Sequence, residues 1–242
     1  MKIFKSITII TCLLVTTFAF AQWGNGKKIK GNGDITTITR STADYNGIKT
    51  AGPIDFKLVP GKEGNITITG DANILDFIIT ELKEGNLVVK VKKGTRIKPS
   101  KKISVTIPYK SINSVVLAGS GDITNEGKIQ SNTFNVALAG SGQINLNIEA
   151  STTKTNITGS GDIKLKGKTT NLNAKITGSG DFDGLDLVTQ NANATITGSG
   201  QANVICNGNL KVKVTGSGDV NYKGKPKNKN IKTVGSGKVL AI

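Results

Sequence analysis

Stretches in which apolar and polar residues alternate run through most of the chain, and they predict β-strands. Residues 172–176, 192–196 and 210–214 each place an apolar side chain at every second position, with Asn, Lys or Thr between them. A period of two is the pattern of a strand that buries one face. From residue 44 onward the sequence predicts an all-β protein, in which residues 72–79 are the one candidate for a short helix.

Copies of the tripeptide Gly-Ser-Gly follow such strands at nearly regular intervals. Their first glycines are Gly119, Gly140, Gly159, Gly178, Gly198, Gly216 and Gly235, so the spacings are 21, 19, 19, 20, 18 and 19 residues. Because glycine tolerates a positive φ, each tripeptide suits a tight corner of the chain. The glycines predicted to form structural corners are Gly119, Gly121, Gly140, Gly142, Gly159, Gly161, Gly178, Gly180, Gly198, Gly200, Gly216 and Gly218.

Two topologies fit one corner per repeat. In a parallel β-helix each repeat is one coil, and equivalent strands stack ~4.8 Å apart. In an antiparallel β-meander each repeat is a hairpin. The faithful repetition of one corner favours the coil, because stacking requires matching backbone dihedrals in every turn. We expect a solenoid over residues 44–242, irregular over 44–118 and regular over 119–242.

The first residues have the three-part pattern of a secretory signal peptide. Lys2 and Lys5 precede an apolar run from Ile7 to Phe20, and Ala19-Phe20-Ala21 supplies a cleavage site. We therefore predict a signal peptide over residues 1–21, followed by a polar leader of low order over 22–43. The protein is expected to be exported to the periplasm, the outer membrane or the exterior, with no transmembrane segment after cleavage.

Composition argues against catalysis. The chain contains no histidine and two cysteines, which removes the commonest general base and rules out a zinc cluster. We predict no cofactor and no metal, and expect the Asp that follows most corners to bond nearby backbone N–H groups. The enzyme alternative, a β-helical carbohydrate-active enzyme, rests on the neighbouring carboxylates Asp181, Asp183 and Asp186.

The chain is strongly basic, with 32 Lys and Arg against 16 Asp and Glu. Basic clusters attract polyanions, and no aromatic stacking platform accompanies them to indicate nucleic acid. Acidic polysaccharide and lipid head groups are therefore the expected partners. The stretch 92–102 is predicted to be a basic loop. The residues predicted to contact these partners are Lys92, Lys93, Arg96, Lys98, Lys101, Lys102, Lys223 and Lys225.

Several segments resemble one known family. They are Asp44-Tyr45-Asn46-Gly47-Ile48, the strand from Gly52 to Leu58, Gly85-Asn86-Leu87 and the Gly-Ser-Gly-Asp corners. Together they are similar to the putative auto-transporter adhesin, head GIN domain family, which occurs chiefly among exported proteins of Bacteroidota. The resemblance implies a right-handed β-helix, a signal peptide and an adhesin-like role. Pro53 departs from the pattern, since it stands where the other corners have serine.

The sequence thus predicts an exported, non-enzymatic β-solenoid that binds polyanions or glycans through a repetitive basic and polar surface. Many weak contacts along a stacked lattice would supply the affinity. A structural or assembly protein of the cell envelope is the alternative from another class.

Overall fold

A computed structural model describes residues 27–242 of the chain. The predicted signal peptide, and residues 22–26 of the predicted leader, lie outside the described residues. One helix and twenty strands make up the described part, and no helix in it is long and apolar enough to cross a membrane.

The first half contains nine strands and the helix. They are β1 (Lys27–Lys30), β2 (Ile35–Ser41), β3 (Gly47–Ala51), β4 (Ile54–Pro60), β5 (Asn65–Asp71), α1 (Ala72–Leu75), β6 (Ile78–Lys83), β7 (Asn86–Val91), β8 (Thr95–Lys98) and β9 (Ile103–Tyr109).

The second half contains strands alone. They are β10 (Ser114–Gly119), β11 (Asp122–Asn125), β12 (Ile129–Gly140), β13 (Gln143–Gly159), β14 (Asp162–Gly178), β15 (Phe182–Gly198), β16 (Gln201–Ile205), β17 (Asn209–Gly216), β18 (Asp219–Lys223), β19 (Asn228–Gly235) and β20 (Val239–Ala241).

The repeats form a parallel β-solenoid of about seven turns, which confirms the predicted fold and excludes the antiparallel meander for them. Successive strands pair in parallel, and the first glycine of each corner lies directly beside that of the next coil. The glycines in this register are Gly119, Gly140, Gly159, Gly178, Gly198, Gly216 and Gly235. Because one coil stacks on another, each corner repeats the backbone of its neighbour.

Each complete coil turns at two places. One is the Gly-Ser-Gly corner. The other appears where burial stops alternating: in β13, β14 and β15 two consecutive residues point outward, namely 151–152, 170–171 and 190–191. We call this second place the bend. The strand segments between the bend and the glycine corner form one face of the solenoid, and those that follow the corner form another.

The interior is a single apolar column that runs the length of the solenoid. The β-branched and leucine side chains of successive coils stack there, and Phe134 and Phe182 are among the largest fully buried side chains. Ala174, Ala192 and Ala194 occupy inward positions close to Phe182 in the coil order. The coils around this large ring therefore contribute small side chains to the spine, as close packing of a narrow core requires.

The chain does not follow coil order at its beginning. The strands β7 and β9 form the end coil, and both pair in parallel with β3 and β4, which precede them in sequence. The next coil, β10 and β11, pairs with the opposite side of β3 and β4. Residues 44–60 are therefore the second coil in space, between 86–109 and 114–125.

Antiparallel strands cover the end coil. On one face β6 pairs with β7, and on the other β5 pairs with β9 and β2 pairs with β5. The guanidinium of Arg40 in β2 bridges the two sides, since it donates to the carbonyl oxygens of Ile78 and of Leu75 (2.7 Å). A terminal coil would otherwise expose its core, so a cap of this kind is required.

Two predictions for this region were wrong. The leader was expected to have little order, yet its described part contains β1 and β2. The basic stretch 92–102 was expected to be a loop, yet it contains β8, which pairs with β1. The short strands β1 and β8 are held in place by each other, although they are distant in sequence. Their own residues give only a weak alternation of apolar and polar positions.

Candidate functional site

The glycine corners are structural features of the backbone. Gly159 and Gly178 have φ values of +118° and +122°, and a side chain at either would overlap the carbonyl oxygen of the preceding coil. That oxygen is already occupied: the Gly159 carbonyl accepts from the N–H groups of Ser179 (2.9 Å) and Gly180 (3.0 Å). The corners thus hold neighbouring coils in register, and their serines are exposed along one edge of the solenoid.

The acidic residues that follow the corners bind backbone. The carboxylate of Asp181 accepts from the N–H of Gln201 (2.8 Å), and that of Asp219 accepts from the N–H of Lys238 (2.7 Å). These bonds link one coil to the next, as the sequence predicted. Within residues 27–242, no group of three or more His, Cys, Asp or Glu side chains is arranged to hold a metal ion.

The carboxylates behind the enzyme alternative lie on the face after the glycine corner. Asp183 and Asp186 both contact the ammonium group of Lys164, at 3.2 and 3.5 Å. The hydrogen bond to Asp183 is the main reason that the pKa of Lys164 is raised. Asp181 is already engaged by backbone, so each of the three carboxylates has a partner within the protein. A groove of about 290 Å³ adjoins them, lined chiefly by carboxylate and amide side chains.

In six successive coils, the strand segments between the bend and the glycine corner carry only positive charge. These segments are 133–140, 152–159, 171–178, 191–198, 209–216 and 228–235, and none of them contains Asp or Glu. Their outward positions include the exposed Lys154, Lys175, Lys211, Lys213 and Lys232. We call this surface the lysine face. In the described part of the chain, none of these five lysines forms a salt bridge, so their charge is directed to solvent.

The lysines of this face stand in two columns. Lys154 and Lys211 share one column, three coils apart. Lys175, Lys213 and Lys232 share the next column. With ~4.8 Å between coils, both columns run parallel to the solenoid axis and repeat charge along it.

Ladders of asparagine border the lysine columns. At the bend, the side-chain amide of Asn191 donates to that of Asn171 (3.0 Å), and Asn209 donates to Asn191 (3.0 Å). Within the column of Lys154 and Lys211, between these two lysines, Asn193 donates to Asn173 (3.3 Å). Each donating amide uses one N–H group in the ladder and keeps a second. The result is a fixed row of donors along a groove of about 410 Å³, and sequence reasoning missed it because only stacking aligns these residues.

The predicted basic stretch 92–102 is an insertion at the corner of the end coil. Val91 lies beside Gly52, and Ile103 pairs with Ile54, so the insertion replaces the glycine corner there. Within it, Lys102 is bound to Asp55 (3.1 Å) and Asp122 (3.2 Å). The other basic residues of the insertion are Lys92, Lys93, Arg96, Lys98 and Lys101, and none of them forms a salt bridge in the part of the chain that the structure describes.

The second predicted cluster lies far from the first. Lys223 ends β18, and Lys225 follows it; both are exposed. Seven pairing steps separate β18 from β9, which at ~4.8 Å per step is about 34 Å. The structure therefore does not bring the two predicted clusters together. The lysine face occupies part of the distance between them.

Fold and surface together define a class: a β-solenoid that presents flat, repetitive polar faces. The family model described as "Putative auto-transporter adhesin, head GIN domain" matches residues 44–226. The chain belongs to this family, and it is an adhesin-like β-solenoid. Among curated proteins, no sequence matches the chain.

Solved structures share the fold over nearly the whole described chain. A putative adhesin from Bacteroides fragilis NCTC 9343 is 21% identical with a TM-score of 0.82, and the match covers 88% of this chain and 100% of that one. A protein from Parabacteroides distasonis ATCC 8503 described as a putative lipid binding protein is 24% identical with a TM-score of 0.75, covering 89% and 100%. A putative adhesin from the same organism is 26% identical with a TM-score of 0.72, covering 89% and 100%.

Proposed function

We propose that this protein is a non-enzymatic adhesin-like protein that acts at the cell envelope or outside the cell and binds acidic polysaccharide through the lysine face. The observation that carries the proposal is the separation of charge: six stacked strand segments contain no carboxylate, and five outward lysines there have no acidic partner in the described part of the protein. The family membership supports a role in binding rather than catalysis.

An extended polymer suits this surface better than a compact ligand. The lysine columns repeat parallel to the axis, so a linear polyanion lying along them would meet a lysine every few coils. Each contact with an exposed lysine is weak, about 0.2–1 kcal/mol, but contacts along one polymer are linked and their effects multiply. The asparagine ladders offer donors beside the charges, which suits the hydroxyl groups of a polysaccharide.

A membrane surface is the less favoured partner of this face. Faces that dock on bilayers carry Trp, Phe or Leu side chains that enter the lipid. On the lysine face the outward apolar residues are small, namely Ala137, Ala139 and Val234. One structural neighbour is described as lipid binding, so anionic vesicles belong in the test.

The test compares two triple variants of equal charge. Lys175→Gln/Lys213→Gln/Lys232→Gln removes one column of the lysine face, and the control Lys62→Gln/Lys110→Gln/Lys166→Gln removes three exposed lysines elsewhere. Binding to polygalacturonate, a polymer of uronic acid, is measured against salt concentration. We expect the first variant to bind roughly 10–100-fold more weakly, which corresponds to about 1.4–2.8 kcal/mol, and the control to change little.

Three outcomes would contradict the proposal. Binding of polygalacturonate that does not change with salt concentration would be the first, because screened surface charges must respond to ionic strength. Equal losses in both triple variants would show a response to net charge alone. Binding to anionic vesicles in place of the polymer would assign the face to lipid.

A further inference from the structure

The strands β1 and β8 form a two-stranded parallel ribbon in which like charges stand side by side. Lys28 pairs with Arg96, and Lys30 pairs with Lys98. Because side chains alternate along a strand, these four residues share one side of the ribbon. All four are exposed, and in the described part of the chain none of them forms a salt bridge. We call this surface the basic ribbon.

The other side of the ribbon fixes its position. Ile29 pairs with Ile97, and both are partly buried against the core of the solenoid. Backbone bonds continue the ribbon at both ends, from the N–H of Lys27 to Gly94 (2.9 Å) and from the N–H of Gly31 to Lys98 (2.9 Å). The four basic side chains are therefore held toward solvent by an apolar anchor behind them.

A buried carboxylate locks the ribbon to the body of the protein. Asp71, fully buried, accepts from the N–H of Gly33 (2.8 Å) and from both the N–H (2.8 Å) and the hydroxyl (2.6 Å) of Ser100. Gly33 follows β1 and Ser100 follows β8, so one side chain fastens both strands. Since these bonds occupy Asp71, the carboxylate next to the ribbon does not serve as a counter-ion on its exposed side.

Directly opposed like charges destabilise a strand pair, yet here the fold maintains two such pairs. Positions two apart on a strand are ~6.6 Å apart, and paired strands are ~4.8 Å apart. Four cationic side chains thus start from a small rectangle. A ligand that carries several negative charges within that span would relieve the repulsion, and the guanidinium of Arg96 can bind two phosphate oxygens at once.

We propose that the basic ribbon is a binding site for a compact phosphate-bearing ligand, such as a diphosphate or a phosphorylated head group. This site is separate from the lysine face and does not depend on it. An extended polyuronate spreads its charges along a chain, whereas the ribbon gathers its cations in one place. A free phosphate compound and a phosphorylated lipid would present the same chemistry to it.

The test uses two double variants. Arg96→Gln/Lys98→Gln removes half of the ribbon, and the matched control Lys62→Gln/Lys110→Gln removes the same charge from exposed residues outside it. Inorganic pyrophosphate is titrated by calorimetry and by its effect on the melting temperature. We expect the ribbon variant to lose at least about tenfold in affinity, and the control less than about threefold. Arg96→Lys, which keeps the charge but loses the two-point contact, is expected to be intermediate.

Relief of repulsion gives a second readout. Without ligand, the ribbon variant is expected to melt at the same temperature as the wild type or slightly higher, because two opposed charges are gone. Pyrophosphate should raise the melting temperature of the wild type and the control, and not that of the ribbon variant. A ribbon variant that fails to fold would show a lowered melting temperature instead, and Arg96→Lys then carries the affinity comparison.

Vesicles of phosphatidylcholine with and without phosphatidic acid separate the two sources of phosphate. Binding to phosphatidic acid vesicles that pyrophosphate displaces indicates a lipid head group, and binding to pyrophosphate alone indicates a soluble ligand. Equal losses in the two double variants, or no pyrophosphate binding by the wild type, would overturn the proposal. Retained binding of polygalacturonate by the ribbon variant shows that the lysine face is intact, so the two proposals succeed or fail separately.

Discussion

A single methyl group at a glycine corner should strongly destabilise the solenoid. In Gly178→Ala, the new Cβ would overlap the carbonyl oxygen of Gly159 in the preceding coil. Gly178 also has a φ of +122°, a conformation that side-chain-bearing residues rarely adopt. The substitution therefore forces either a strained backbone or a separation of two coils.

The loss in the free energy of unfolding follows from these two effects. Holding a non-glycine residue in a sparsely populated backbone region costs about 1–3 kcal/mol. Forcing an extra carbon into a packed site costs about 1–3 kcal/mol more. If the coils separate instead, the bonds from Ser179 and Gly180 to the Gly159 carbonyl are lost, at about 1 kcal/mol each. We expect Gly178→Ala to destabilise the fold by about 3–5 kcal/mol.

Urea unfolding followed by far-ultraviolet circular dichroism measures this difference. With an m-value of about 2–3 kcal/mol/M, the midpoint should fall by roughly 1–2 M. Ser179→Ala is the control, because the adjacent hydroxyl is exposed and a surface change of this kind usually stays within about 0.5 kcal/mol. A Gly178→Ala protein within about 1 kcal/mol of the wild type would refute the claim that stacked corners require glycine.

Three further predictions concern the interior and the N-terminal cap. Phe182→Ala should cost about 3–5 kcal/mol in urea unfolding, since the side chain is fully buried; a loss below about 1 kcal/mol would mean that the spine is loosely packed. The hydrogen bond from Ser100 holds the pKa of Asp71 below its usual value, so its stabilisation is complete above the unfolded pKa, about 3.9, and is lost as the pH falls through the lowered one. Asp71→Asn should accordingly be destabilised at neutral pH and approach the wild type in acid, whereas Asp34→Asn, at an exposed position, should differ little at any pH. The buried thiol of Cys206 should react with a thiol reagent only after unfolding, and immediate reaction in native buffer would show that its coil opens readily.

The regular half of the fold was predictable because its signals are local and repeated. Every coil has the same alternation and the same corner, and the faithful repetition of that corner favoured a parallel stack over the antiparallel meander. The buried residues of each alternating strand, such as Leu172, Ile176 and Val212, follow directly from that pattern. The carboxylate-to-backbone bonds of Asp181 and Asp219 also follow, since they are a property of the repeated corner.

The irregular half was less predictable because its contacts are long-range. Nothing in the local sequence indicates that residues 86–109 form the end coil beyond residues 47–60. Nor does it indicate that β5 and β6 pair antiparallel with the strands β9 and β7 of that coil and cover it. The strands β1 and β8 have four residues each, and each exists because the other pairs with it. Their pairing brings Lys28 and Lys30 to Arg96 and Lys98 from nearly seventy positions away.

The charged surface also depends partly on the sequence alone and partly on the tertiary structure. The sequence by itself determined that the protein is strongly basic, that it is built from coils of about nineteen residues, and that each coil turns on glycine, because composition and period can be read from neighbours along the chain. Only the tertiary structure decided which lysines share a surface. Stacking assembles one residue from each coil into a column, so the lysine face, the asparagine ladders and the basic ribbon come into being when strands distant in sequence lie side by side.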